Sequence, residues 1–166
     1  MSGYAVSGLA GVDRAAGDLR RGLPVVVADP GSAAGEVAFA AALASEARLA
    51  ALRGWSAEEP DLVITHNRAA TLKVRLYTPD VVRIPVPNWL PIEALASLAD
   101  PATDLSQPMR GPFEARRAPV PEGVIAAIRL AEIARLLPAV LAVSLDDVAA
   151  ALGAIDGGLL RVAASD

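Results

Sequence analysis

The chain has 166 residues, of which 15 are basic and 19 acidic, for a net charge of -4 with no cysteine and a single histidine. That length fits one domain, which by the usual scaling buries roughly 70% of its unfolded surface without staples, and the missing cysteines exclude disulfides, thiolate nucleophiles and cysteine-held zinc. Basic residues gather no further than pairs such as Arg20-Arg21 and Arg116-Arg117, and charges or prolines cut every apolar run short of the ~20 residues that span a bilayer, so neither nucleic acid nor a membrane is an expected partner. The opening MSGYAVSGLAGVDR lacks the cationic start and apolar block of a signal peptide, and a cytoplasmic protein is expected.

Residues 1–11 are small and glycine-rich and read as a flexible lead-in. A short helix follows over 12–21, stopped by Gly22, with Arg20 and Arg21 in the last turn where cations suit the helix dipole. The run 23–28 is the first strand, broken by the turn signal Asp29-Pro30-Gly31. Small residues then lead to an expected helix over 35–53, with Glu46, Arg48 and Arg53 on its solvent side and Gly54 closing it. Residues 61–64 form a second strand, and Thr65 offers a hydroxyl cap to a helix over 66–74. A third strand over 81–86 is placed at a sheet edge because Pro85 cannot donate to a ladder. A short helix over 91–99 precedes a long loop over 100–122, which holds five prolines.

The stretch 123–143 anchors the expected architecture. Arg129, Glu132 and Arg135 recur every third residue and make one narrow polar stripe on an otherwise apolar helix, with weak pairing of Glu132 to its neighbours. Pro138 ends that helix, and Ala139-Val140-Leu141-Ala142-Val143 follows as a strand apolar on both faces. Helix and two-sided strand together imply a single layered α/β domain over 1–166. Ser144 to Asp147 read as a capping box for a helix over 145–152, and Gly157-Gly158 turns the chain into a last strand over 159–162.

Candidate site residues are few. His66 is the only imidazole available for catalysis, although a polar residue at a helix start needs no such role. The loop 29–36, with Gly35 and Glu36, stands between a strand and an expected helix N-terminus where anions bind; a tight turn accounts for the same residues, and neither a P-loop lysine nor a GxGxxG order is present. Arg68, just inside a helix and next to the Thr65 cap, reads as a phosphate contact or as ordinary solvated charge. Asp146 and Asp147 have no partner carboxylate or histidine nearby in sequence, so no metal site is assigned to them, and Trp55 and Trp89 read as anchors on the surface or at an interface.

The run Leu62-Val63-Ile64-Thr65-His66-Asn67-Arg68-Ala69-Ala70-Thr71-Leu72 resembles the LxLTxxRAxxL block of 3,4-dihydroxy-2-butanone 4-phosphate synthase and of the synthase-like N-terminal region of some bacterial GTP cyclohydrolase II proteins. Leu98-Ala99-Asp100-Pro101-Ala102-Thr103-Asp104 is similar to the region before the synthase's second active-site segment, residues 126–138 to the helix after its GHTEA motif, and Leu159-Leu160-Arg161-Val162-Ala163 to the joint leading into the cyclohydrolase domain. The resemblance implies the synthase fold, shortened between Val74 and Leu98, and a place in riboflavin biosynthesis. It also implies where Mg2+ ligands belong. Counted back from Gly35-Glu36, the metal-binding glutamate falls on Ser32 and its neighbouring arginine on Gly31; counted back from Ala126-Ala127, the histidine, threonine and glutamate of GHTEA fall on Gly123, Val124 and Ile125. None of these side chains ligates Mg2+ or transfers a proton, so the pattern is degenerate and no cofactor or metal is expected. Cyclohydrolase zinc is held by cysteines, which this chain lacks. The expected role is a catalytically silent domain, a homodimer like the synthases, supporting a GTP cyclohydrolase II in cis or in trans. The alternative is a module that binds a phosphorylated metabolite through backbone N–H groups near Gly35 and the charge of Arg68. A lyase with a relocated site is the third reading.

Overall fold

The computed structural model describes residues 8–107, 111–154 and 160–165. Helix α1 (Leu9–Arg20) begins inside the expected lead-in and ends as its sequence implies: Gly22 adopts φ 72°, its N–H donates to the Leu19 carbonyl, and the Leu23 N–H donates to that of Asp18. Strand β1 (Val25–Ala28) follows.

The largest departure from the sequence expectation comes next. Residues 35–53 do not form one helix; Gly35–Ala40 is a strand, β2, hairpinned onto β1 with Ala28 opposite Gly35 and Val25 opposite Ala38. All six residues of β2 are buried, so no alternation betrays a strand, and its alanines imitate a helix. Helix α2 (Glu46–Trp55) starts only where the Ser45 hydroxyl accepts the Arg48 N–H. Arg48 is not on the solvent side either. Half-buried, it donates to the carbonyls of Gly22 and Leu43 and ties α2 to the end of α1.

Strand β3 (Asp61–Thr65) runs straight into helix α3 (His66–Thr71), capped by Thr65 Oγ1 on the Arg68 N–H at 3.2 Å. Strand β4 (Val81–Pro85) lies at the sheet edge, where Pro85 costs no ladder bond. After helix α4 (Ile92–Ala99) and a single 3-10 turn at Pro101–Thr103, residues 111–121 run without helix or strand; there the Arg116 N–H donates to the Arg83 carbonyl on β4 at 2.8 Å. Helix α5 (Glu122–Ile133) stops five residues before Pro138, with Arg135 at φ 57°. Strand β5 (Ala139–Leu145), helix α6 (Val148–Ala154) and strand β6 (Leu160–Ala163) complete the fold. The expected turn at Gly157-Gly158 lies outside the described residues. Ser144 belongs to β5 and does not cap; the cap of α6 is Asp147, whose carboxylate accepts the Ala150 N–H.

The six strands lie in the order β4-β3-β5-β2-β1-β6, antiparallel throughout except for the parallel pair β1 and β6. Each face carries its own apolar core. Leu49, Leu52, Leu95, Leu98 and Val148 from α2, α4 and α6 cover Val37, Phe39, Leu62, Ile64, Leu141 and Val143 on one side. On the other, α1 and α5 bring Leu19, Val124, Ala127, Ile128 and Ala131 onto Val25, Val27, Ala38, Val63, Val140 and Ala142. β5 is therefore buried on both faces, as its unbroken apolar run implies. Trp55 stacks on Phe39 with ring centroids 6.0 Å apart, while Trp89 is 70% exposed.

Gly35 has a packing reason to be glycine. A Cβ there meets the Val27 carbonyl oxygen at 2.5 Å, a Val148 methyl at 2.8 Å and the Ala28 Cα at 2.9 Å, and two of these are backbone of the paired strand. Gly35→Ala is expected to cost about 2–3 kcal/mol, toward the upper end for overpacking. Urea unfolding measures it, and a midpoint unchanged from the parent would show that β1, β2 and α6 are not packed this tightly.

Candidate functional site

The structure divides the sequence candidates between the two ends of β3. Gly35 and Glu36 lie near the Asp61 end, since Asp61 faces Ala142 on β5 and Glu36 pairs with Ser144 two residues further along that strand. Thr65, His66 and Arg68 lie at the other end, about 13 Å away at roughly 3.3 Å per strand residue.

At the second end the residues form a clamp. Arg68 donates Nε–H to the Leu98 carbonyl at 2.7 Å, both terminal nitrogens to the Asp104 carboxylate at 2.6 and 2.8 Å, and Nη2 also to the Asp100 carbonyl at 3.3 Å. Its guanidinium is thereby spent on the segment after α4. Thr65 is occupied as the α3 cap, and among the described residues no side-chain hydrogen bond is made by His66, whose backbone N–H donates to the Asp80 carbonyl. A base with nothing to orient it does not resemble a catalytic imidazole.

The first end holds a buried polar cluster at the start of α5. Glu36 is 2% exposed and accepts the Ser144 hydroxyl at 2.8 Å. Burial pushes its carboxyl from an ordinary 4.5 up to about 7; the Ser144 bond and Arg83 pull it down, while Asp29 and Asp61 add to the rise. Asp29, at the end of β1, accepts the Gly123 N–H at 2.7 Å and so satisfies one free donor at the positive end of α5. Asp61 is buried beside Arg116, whose Nε–H reaches both carboxylate oxygens at 2.7 and 2.8 Å; burial raises the Asp61 carboxyl and this pairing opposes the rise. Arg83 donates to the carbonyls of Ala118 and Pro119, and its Nε is buried without a partner among the described residues.

Sequence reasoning found Glu36 but missed Asp61, Arg83, Arg116 and Ser144 as its neighbours. The available signal was a charge inside an apolar strand, Asp61 heading Leu62-Val63-Ile64 and Arg83 within Val81-Val82-Arg83-Ile84, because such charges are buried only when paired.

The cluster does not fit the magnesium ion that the resemblance implies. Of the two positions where the count placed ligands, Gly123 donates its N–H to the Asp29 carboxylate, while Ser32 is exposed and donates its N–H to the Asp29 carbonyl within the local turn at 3.3 Å. A Cβ on Gly123 meets Asp29 Oδ1 at 2.8 Å, the Val27 carbonyl at 3.1 Å and Glu36 Cγ at 3.3 Å, so a side chain there would have to displace the Asp29 carboxylate from the helix end it caps. Among the described residues no three histidine or carboxylate side chains are grouped to hold a metal ion.

No protein-family model matches the chain. It is 33% identical over 159 residues to GTP cyclohydrolase-2 of Azospirillum brasilense, an alignment covering 93% of this chain, and the chain spans about 40% of that relative's length. Among solved structures it superposes on 3,4-dihydroxy-2-butanone 4-phosphate synthase of Candida albicans with a TM-score of 0.69 and 16% identity, covering 93% of both chains. A synthase in its cation-free form gives 0.69 and 17% over 93% of both. A two-domain synthase from A. baumannii gives 0.69 and 15%, over 93% of this chain and 55% of that one. The chain has the synthase fold, as a single mixed sheet with helices on both faces, and is similar in sequence to part of a GTP cyclohydrolase-2.

Proposed function

We propose that this is a catalytically silent synthase-like domain of riboflavin biosynthesis, which assembles with a GTP cyclohydrolase II in the cytoplasm and supports its folding or regulation. The observation that carries the silent half is Gly123. Its N–H is committed to Asp29, and a Cβ there would press on the Asp29 carboxylate, the Val27 carbonyl and the Glu36 side chain, so the position carries no side chain for chemistry and is crowded by its neighbours. General acid/base chemistry on a sugar phosphate requires titratable groups within hydrogen-bond reach of substrate; here Asp29 caps a helix and Glu36 is sealed against Ser144. The assembling half is supported by the alignment with a longer cyclohydrolase.

The homodimer expected from the apolar girth of α5 rests on a smaller surface than the sequence implied, because Ile128 is buried by its own chain and Ile125 partly so, leaving Ile133 exposed. The stripe of Arg129, Glu132 and Arg135 is exposed, and no ion pair joins its members among the described residues.

Purified protein given ribulose 5-phosphate and Mg2+ is expected to release no formate above a protein-free control. Magnesium-dependent formate at any rate proportional to protein concentration would end the silent reading. Co-purification with the GTP cyclohydrolase II of the same organism tests the assembling half separately.

A further inference from the structure

The groove between α1, α5 and β6 is apolar at its floor and open at its lips. Val12, Val27, Leu130 and Val162 line a volume of about 210 Å3 and are themselves buried, whereas Ile133 on its lip is 53% exposed and Leu9, one turn before Val12 on α1, is 84% exposed. Arg129 stands on the rim with no hydrogen-bond or ion-pair partner among the described residues. Large aliphatic side chains left in water beside a cation without a counter-ion are the features of a contact surface.

We propose that this groove is where a GTP cyclohydrolase II domain docks, an inference that rests on the assembly reading above and assigns it a surface. The route of the chain supports that occupant. The described fold is entered at Leu9 and left at Ser165, and Val12 and Ser165 line the same groove. In the Azospirillum relative the larger part of the polypeptide lies outside the aligned stretch. A second copy of this chain is the competing occupant, told apart by its dependence on protein concentration in the absence of a cyclohydrolase. The docking segment therefore offers apolar side chains to Ile133 and Leu130 and a carboxylate to Arg129.

The chain has no cysteine, so Ile133→Cys gives one thiol for a nitroxide label, with Ala50→Cys on α2, across the sheet, as the control. The label is read alone and with the full-length GTP cyclohydrolase II of the same organism; where the gene continues into such a domain, the labelled full chain is compared with the 166-residue protein. The expected result is immobilisation at position 133 and none at position 50, with Ile133→Glu and Arg129→Glu each weakening association about tenfold or more. Association that leaves the label at 133 mobile overturns the proposed surface while the assembly reading stands. No association by light scattering overturns both. Immobilisation at 133 that grows with protein concentration in the absence of a cyclohydrolase assigns the groove to a second copy and overturns the proposal.

Discussion

Arg68→Ala is expected to lower stability by about 3 kcal/mol, the low end for breaking a buried ion pair because Asp104 is 29% exposed. The loss has two parts. The Asp104 carboxylate loses a two-pronged partner, and the Leu98 carbonyl loses its Arg68 donor where water replaces it poorly, while the Asp100 carbonyl keeps Thr103. Arg68→Lys is expected to recover only part of the loss, since one ammonium cannot span a carboxylate and two carbonyls 30 and 32 residues away in sequence. Urea unfolding gives the size, and hydrogen exchange gives the place, with faster exchange in the last turn of α4 and at Pro101–Thr103. If Arg68 were held free for a phosphate, its removal would leave the unfolding midpoint in place and affect only ligand affinity. An unchanged midpoint would therefore remove the clamp and restore the phosphate reading.

This clamp also marks the limit of what local sequence can tell. Elements whose signals sit within a few residues were legible: Thr65 three residues before the N–H it caps, Gly22 after α1, Pro85 at an edge, and the order of α5 and β5. The partners of Arg68 lie 30 to 36 residues away, those of Arg116 lie 55 to 57 away, and Ser144 lies 108 from Glu36. No periodicity reports such pairings. β2 was hidden for a different reason. A strand covered on both faces loses the period of two, and Gly-Glu-Val-Ala-Phe-Ala followed by more alanine then presents only helix propensity. Its charged residue points the same wrong way, because a carboxylate is more easily solvated on a helix surface than in a buried strand.

The block order of the synthase resemblance carried the fold further than the element assignments did. It survives the misassigned helix because it rests on the order of blocks along the chain and not on the local structure of any one of them. What replaced the expected ligands was legible only in part. Glycine at 123 signalled a lost imidazole; that its Cα is held against two strands and a carboxylate is a fact of packing.

The consequence of that packing for pH is the second large effect. Glu36 titrates near 7 in the folded chain, chiefly because burial disfavours its charged form, and near 4.5 when unfolded. Between those values the folded state holds a proton that the unfolded state has released, so stability falls as pH rises from about 4.5 through 7 and then levels off, by about 3 kcal/mol in all. Asp61, also raised by burial, contributes a fall of the same sign starting from its own lower range. Glu36→Gln is neutral at every pH and keeps an oxygen for the Ser144 hydroxyl. The difference between variant and parent is thus expected to be small at pH 4 and to grow to about 3 kcal/mol in favour of the variant at pH 8, or about 6–12 °C in Tm for a chain of this size. Thermal unfolding of both proteins across that range isolates Glu36 from every other acid, because those titrate alike in the two. Parallel curves would mean that Glu36 is ionised in the folded chain at pH 5, with water or Arg83 reaching it, and would reopen the start of α5 as a place where a carboxylate meets a ligand.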